Sequence, residues 1–280
     1  MQSAVAEKYR ALQARLRELG SVVVAFSGGV DSALLLHVAV RTLGPHQVLA
    51  VTGRSPSVPT EELQTVQALA AECGAPHEFI DTREFEDPNY TSNPTNRCYY
   101  CKTELFERLW PLAAERGFRA VISGANADDA FDYRPGLQAA AERHVISPLA
   151  EAGISKRELR EIAAELGLSI HDKPASPCLA SRVQYGQTIT PEKLKRVDAA
   201  EQFLRALGFR ECRVRHHEHL ARIEVPPSEL DRFADAELRS RVDERLRELG
   251  FQYVTLDLRG FRSGSMNEVI LGAGLRGRAK

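Results

Sequence analysis

The 280-residue sequence contains no run of about 20 apolar residues, so no membrane-spanning helix is expected. Its opening, MQSAVAEKYR, lacks the apolar stretch of a secretory leader, and a cytoplasmic protein is expected. An excess of either charge is also missing: 37 Lys and Arg stand against 38 Asp and Glu, a net charge of −1. Near-neutrality gives no global pull toward nucleic acid or an anionic membrane, and neither is expected as a partner. Cysteine is scarce, with five in all: Cys73, Cys98, Cys101, Cys178 and Cys212. In a reducing compartment these act as thiols, metal ligands or catalysts rather than as disulfide staples. Internal repeats and low-complexity tracts are absent, which excludes solenoid architectures.

A Walker A lysine is missing too, yet a phosphate-type turn is present. Residues 22–26 (VVVAF) form an apolar run of strand length that ends in Ser27-Gly28-Gly29-Val30-Asp31-Ser32. A helical apolar pattern follows, with Leu35, Leu36, Val38 and Ala39. A strand turning sharply into a helix aims backbone N–H groups at one point, where the helix dipole also favours an anion. Gly28 and Gly29 lack Cβ atoms, so the turn can take unusual dihedrals and admit phosphate closely. Ser27 and Ser32 add hydroxyls, and Asp31 could orient a metal or cap the helix.

Strand and helix patterns alternate around this turn. Helices are expected over 3–19, 33–43, 60–73 and 98–116, and strands over 47–52, 77–81 and 120–123. That order predicts an α/β fold with a parallel sheet, whose ligands sit at the carboxyl ends of the strands. Residues 82–97 are polar and aperiodic, the character of a lid or binding loop. Beyond the strand at 120–123, residues 124–136 bring Gly124, Asp128, Asp129, Asp132 and Arg134, suited to Mg²⁺, ribose or substrate, or to a plain solvated loop. Ser155-Lys156-Arg157-Glu158 reads as a capping box opening another helix. Residues 171–186 (HDKPASPCLASRVQYG) have too many special residues for an ordinary connector.

A boundary near 188 is expected, dividing residues 1–187 from a small α+β domain over 188–280. Its order is helix (190–207), two strands (212–216, 221–225), helix (236–249) and strand (253–257). Arg213 and Arg215 flank Val214 in a period-two pattern, which predicts a half-buried strand with both guanidiniums on one face. Such a pair could clamp a phosphate or carboxylate, or simply line a solvated face.

Cys98 and Cys101 form a C-x-x-C at a helix start, and Cys178 lies in Ser-Pro-Cys-Leu-Ala-Ser-Arg. Helix N-termini and nearby Lys102 or Arg182 favour thiolates. Three thiolates suit an open site, either a [4Fe–4S] cluster with one free iron or zinc with water, with His171 the one near candidate for a fourth ligand. Unpaired core cysteines are the alternative. Cys73 and Cys212 are expected to be structural.

The Ser-Gly-Gly-x-Asp-Ser turn resembles the loop of the PP-loop ATP pyrophosphatases, of the adenine nucleotide alpha hydrolase-like fold. These cleave ATP between the α and β phosphates. Further blocks narrow the resemblance to the LarE family: RCYYCK at 97–102, DYRPG at 132–136, SR at 181–182, YG at 185–186, RVR at 213–215, ARIE at 221–224, TLD at 255–257 and GFRSG at 260–264. The LarE family comprises the ATP-dependent sulfur transferases of nickel-pincer-nucleotide synthesis, whose product becomes the cofactor of lactate racemase.

The resemblance implies adenylation of a carboxylate of pyridinium-3,5-biscarboxylate mononucleotide and its replacement by a thiocarboxylate, twice. It implies ATP and Mg²⁺ as cofactors, with Ser27, Gly28, Gly29, Asp31, Ser32, Lys102, Gly124, Asp129 and Arg182 on the nucleotide. It further implies Arg213, Arg215, Glu224 and Arg262 on the substrate, and Glu201 as an active-site acid. One branch of the family sacrifices a cysteine that would fall one position before Cys178, where this chain has Pro177. Cys98, Cys101 and Cys178 resemble the other branch, in which three cysteines hold a [4Fe–4S] cluster that passes on sulfide from an external sulfide source. A homo-oligomer is expected. The main rival is a tRNA 2-thiolation enzyme, which shares the loop and often a C-x-x-C. An ammonia-using synthetase and a non-catalytic nucleotide-binding regulator are the others.

Overall fold

The computed structural model describes residues 3–131, 135–174 and 176–262. Ten helices lie along them: α1 (Ser3–Leu19), α2 (Val30–Leu43), α3 (Thr60–Glu72), α4 (Pro88–Thr91), α5 (Arg97–Glu115), α6 (Pro135–Glu142), α7 (Pro148–Glu151), α8 (Lys156–Glu165), α9 (Pro191–Ala206) and α10 (Ala236–Glu248). Seven strands accompany them: β1 (Val22–Ala25), β2 (Val48–Arg54), β3 (His77–Asp81), β4 (Ala120–Ser123), β5 (Arg213–His217), β6 (Leu220–Glu224) and β7 (Tyr253–Leu256). None of the described helices is long and apolar enough to cross a membrane.

The chain divides into two compact units, 1–90 with 96–176, and 91–95 with 177–280. The expected boundary at 187/188 thus lies inside the second unit. In the first, a parallel sheet runs β3-β2-β1-β4. Its central strand reads Val-Val-Val because both faces are covered, and successive side chains enter opposite layers. Val22 and Val24 pack with Leu12 and Leu16 of α1, Leu34 and Leu36 of α2, and Leu159 and Ile162 of α8. Val23 packs the other way, with Phe106 and Leu109 of α5 and Ala139 and Ala140 of α6. The strand order reverses beside β1, so its carboxyl end opens at the switch point where α/β sheets bind ligands.

The aperiodic stretch after β3 is anchored. Buried Glu84 accepts hydrogen bonds from the hydroxyls of Ser55 (2.5 Å) and Ser57 (3.0 Å). Residues 91–95 join the second unit: Gly186 N–H donates to the Asn93 carbonyl (3.0 Å) and Ile189 N–H to that of Thr91 (2.8 Å). In that unit β5 and β6 form an antiparallel hairpin and β7 adds in parallel to β6. This is the helix, strand, strand, helix, strand order read from the sequence. Thr190 caps α9 through its hydroxyl, and Pro191 occupies the first helical position.

The capping box at α8 is also present, and it carries an ion pair. Ser155 accepts the Glu158 N–H, and Glu158 in turn accepts the Ser155 N–H (2.9 Å) and both contacts of Lys8 Nζ (2.8 Å). The Lys8 contact and the Ser155 N–H hold the Glu158 carboxyl down from 4.5 to about 2 against the opposing effect of burial. A carboxyl depressed in the folded state contributes stability above its unfolded pKa and loses it as pH falls through the folded one. Glu158→Gln should therefore cost about 1–3 kcal/mol at pH 7, with the difference from wild type shrinking below pH 4.5 and vanishing near pH 2. Urea unfolding at a series of pH values checks this; a difference independent of pH would contradict it.

Candidate active site

The turn after β1 is built as the sequence pattern requires. Gly28 has φ +71°, a conformation that side chains disfavour, and a Cβ there would stand 2.7 Å from Val66 Cγ1 of α3. Gly29 takes the N-cap position of α2 with no side-chain cap. Ser32, buried on the first turn, gathers the loop: its Oγ donates to the Gly29 carbonyl (3.0 Å), meets Ser27 Oγ (3.1 Å) and accepts Ser27 N–H (3.3 Å). Thr52 at the end of β2 donates its hydroxyl to the Phe26 carbonyl (2.8 Å). That hydroxyl must then accept from His77 Nε2 (2.8 Å), which fixes the imidazole as the Nε2–H tautomer. Burial lowers the His77 pKa, so the ring stays neutral.

Asp31 does not cap its helix. Its carboxylate takes both contacts of Lys156 Nζ (2.5 and 2.7 Å), with Asn126 Nδ2 at 3.5 Å from Oδ1. Asn126 is held by Asp129, whose buried carboxylate accepts the Asn126 N–H (3.0 Å). Lys173 reaches the other side of the turn, with Nζ 3.3 Å from the Gly28 carbonyl and 2.6 Å from Glu62 Oε2. Gly124 lets β4 approach: a Cβ there would lie 2.8 Å from the Ser32 nitrogen. Lys156 and Lys173 are candidate site residues that the sequence reading missed. Both stood in view, one inside the capping box and one in the 171–186 segment, but each lies more than a hundred positions from the loop. Their lysine charges occupy the neighbourhood that a Walker A lysine would otherwise supply. Asp132 and Arg134 lie outside the described residues.

Cys98 and Cys101 fall on the first turn of α5, three positions apart and therefore on one helix face, with Cys98 exposed and Cys101 half-buried. On the next turn position stands Lys102, whose Nζ lies 5.9 Å from the Phe106 ring centroid. Cys178 is half-buried and precedes the 3₁₀ turn Leu179–Arg182 in the second unit. No disulfide joins any of the five cysteines. Among the described residues, no three His, Cys, Asp or Glu side chains are gathered so as to hold a metal ion. Cys73 and Cys212 are buried, which pushes both thiols up to about 12 and leaves them inert.

The arginines of the second unit are more deeply placed than the period-two pattern predicts. Arg213, Val214, Arg215 and His216 are all buried, so β5 is covered on both faces. Arg215 donates Nε (3.0 Å) and Nη2 (2.8 Å) to Glu224, which also takes Arg222 (3.0 Å). Arg222 continues to Asp257 (3.6 Å), which meets Arg262 at 3.4 Å. Arg213 donates to the Cys212 carbonyl (2.7 Å) and stacks over Phe261. Burial first, then the like charge of Arg182, pushes its pKa down. Burial and the neighbouring Arg182 both disfavour the Arg213 cation, a cost that an anionic ligand beside it would offset. Glu201 is fully buried, forked to Arg182 (2.9 and 3.0 Å), and accepts the Val214 N–H (3.0 Å).

Asp31 and Lys156 are both partly exposed, so their pair contributes no more than about 1 kcal/mol to stability. Ser27→Ala and Asp31→Ala should accordingly melt close to wild type while abolishing AMP and pyrophosphate formation from ATP. Chromatographic analysis of the nucleotide products checks this, and ADP with phosphate as products would refute the loop assignment.

The asparagine synthase family pattern matches residues 8–224. Over 271 residues the chain is 42% identical to pyridinium-3,5-bisthiocarboxylic acid mononucleotide synthase of Lactiplantibacillus plantarum, covering 97% of this chain and 98% of that one. It is 51% identical over 253 residues to an uncharacterized protein of Synechocystis sp., covering 90% and 94% of the two chains. A tRNA-specific 2-thiouridylase of Caulobacter sp. is 28% identical over 192 residues, 55% of this chain and 47% of that one. The similarity to the thiouridylase stops at about half of either protein, whereas the similarity to the mononucleotide synthase runs through both units. With the Ser-Gly-Gly turn built at the switch point of a parallel sheet, this chain belongs to the LarE family of ATP-dependent sulfurtransferases within the PP-loop ATP pyrophosphatases.

Proposed function

We propose that this enzyme converts the carboxylates of pyridinium-3,5-biscarboxylate mononucleotide into thiocarboxylates, using ATP for activation and three cysteines for sulfur delivery. The observation that carries the substrate reading is the buried arginine cluster of the second unit, which suits the phosphate and carboxylates of such a mononucleotide. A carboxylate is a poor electrophile, and its oxygen leaves badly. Attack of that oxygen on the α-phosphorus of ATP releases pyrophosphate and forms an acyl-adenylate, so that AMP becomes the leaving group. Ser27, Gly28, Gly29 and Ser32 receive the departing pyrophosphate at the head of α2. Lys156, Lys173 and Lys102 add positive charge, and Asp31, with its partly exposed carboxylate, would hold Mg²⁺. Arg213 and Arg215, assisted by Arg262, bind the substrate phosphate, with Glu224 fixing the Arg215 guanidinium and Glu201 holding the strand between them through the Val214 N–H.

The donor set of Cys98, Cys101 and Cys178 fits a [4Fe–4S] cluster chemically: three soft thiolate donors, none committed to a disulfide, at surface-accessible positions. Cys98, Cys101 and Cys178 would hold such a cluster, which would supply sulfide to the activated carboxylate. Sulfide delivered at these cysteines attacks the acyl-adenylate carbonyl, expels AMP and leaves the thiocarboxylate. Pro177, at the position of the sacrificial cysteine, supports repeated delivery over self-consumption.

Pyrophosphate release should depend on the pyridinium mononucleotide and respond to neither tRNA nor ammonia. Under anaerobic conditions with added sulfide, Cys98→Ala, Cys101→Ala and Cys178→Ala should each lose thiocarboxylate formation together with iron–sulfur absorbance, because a cuboidal cluster held by three thiolates is poorly retained by two. Cys73→Ala and Cys212→Ala should lose neither. Mass spectrometry after turnover should find Cys178 intact; dehydroalanine there would overturn the cluster reading, and pyrophosphate release dependent on tRNA would overturn the substrate.

A further inference from the structure

The guanidinium of Arg182 is 1% exposed and spends its donors inside the second unit. Nε and Nη2 fork onto Glu201 of α9 at 2.9 and 3.0 Å. Nη1 turns the other way, donating to the carbonyls of Pro177 (2.6 Å) and Cys178 (3.1 Å) and meeting Ser181 Oγ (3.0 Å). One buried cation thus grips the backbone on both sides of the Cys178 α-carbon. Glu201 is equally committed: besides Arg182 it accepts the Val214 N–H (3.0 Å), and Cys212 donates its thiol to the Glu201 carbonyl at 3.8 Å. Arg215 adds a second tie, with Nη1 3.1 Å from the Ser181 carbonyl. The chain that carries Cys178 is therefore fastened, through Arg182 and Glu201, to the strand that carries Arg213 and Arg215.

A purely structural pair in this place would be expensive, because two ions are removed from water for an attraction that barely offsets their desolvation. An apolar pair of the same volume would serve packing as well. What the ionic pair adds is direction: a guanidinium fork fixes both its carboxylate and the carbonyls opposite in one plane.

We propose that Arg182, oriented by Glu201, is a positioning residue that holds Cys178 in register with the arginines of β5, so that sulfur is presented at a fixed place relative to bound substrate. The inference rests on the reading of Cys178 as a sulfur-handling cysteine. Arg182 acts through Cys178 and touches no reacting atom. Its loss lowers the sulfur transferred per adenylation event.

The test compares thiocarboxylate formed with pyrophosphate released, using ATP, the pyridinium mononucleotide and sodium sulfide under anaerobic conditions. Truncating Arg182 alone would strand the Glu201 charge and could unfold the unit, so both are replaced together in Arg182→Met/Glu201→Gln, which keeps the volume and removes both ions of the pair; Arg205, 3.7 Å from Glu201, is 23% exposed and stays in contact with solvent. The double variant should melt cooperatively, and the readout is the ratio of the two products rather than the rate of either. Its thiocarboxylate per pyrophosphate should fall by about tenfold or more, up to the roughly hundredfold that a 1 Å misplacement of a reacting group can cost. Arg182→Lys, which keeps the charge but not the fork, should fall between. If both products decline in proportion, or neither does, the positioning role is refuted. Cys178→Ala separates the two layers: a wild-type ratio in that variant overturns the reading of Cys178 itself. An uncoupled Cys178→Ala beside a coupled double variant overturns the positioning role alone.

Discussion

Two missing side chains hold the nucleotide site in its shape. Gly28 turns the chain with φ +71° where a Cβ would run into Val66, and Gly124 lets the end of β4 come against the first turn of α2. Either contact with a side chain would push the loop off the sheet, and the serine hydroxyls at 27 and 32 would lose their closure. Everything the first unit does for chemistry follows from that close approach. The central strand ends at the switch point, the helix starts without a capping side chain, and its first amides stay open to an anion. Lys156 and Lys173 then stand where a Walker A lysine is missing, each already matched to a carboxylate. In that paired state the loop carries little net field.

The second unit solves the opposite problem. It buries guanidiniums instead of exposing amides, and it keeps them ionised with fully buried Glu201 and Glu224. Buried ion pairs are poor sources of stability but good sources of direction. The network from Arg182 to Glu201, and from Arg215 through Glu224 and Arg222 to Asp257, spans α9, β5, β6 and the residue that follows β7.

Much of this was legible in the sequence because it is local. The Val-Val-Val strand, the Ser-Gly-Gly turn, the Ser155–Glu158 capping box and the Thr190–Pro191 start of α9 are each decided by neighbours within a few residues. Residues joined by the fold were not legible. Lys156 meets Asp31 across 125 positions and Lys173 meets Glu62 across 111, and no periodicity encodes either distance. The Arg-Val-Arg pattern predicts a shared face for the arginines but not the cover over both faces of β5. That cover comes from segments far along the chain, and alternation reports one strand's own period only. Likewise Glu201 reads as an acid on a helix, while its burial against Arg182 depends on how the 177–182 segment returns.

The central claim is that the substrate carboxylate is activated as an acyl-adenylate at the Ser-Gly-Gly turn before sulfur arrives. It is tested most directly by supplying the pyridinium mononucleotide with ¹⁸O in its carboxylates and weighing the AMP formed. Attack of carboxylate oxygen on the α-phosphorus, followed by expulsion of AMP, predicts one ¹⁸O in AMP for every thiocarboxylate made and none in pyrophosphate. Unlabelled AMP, or label in inorganic phosphate beside ADP, would contradict the account.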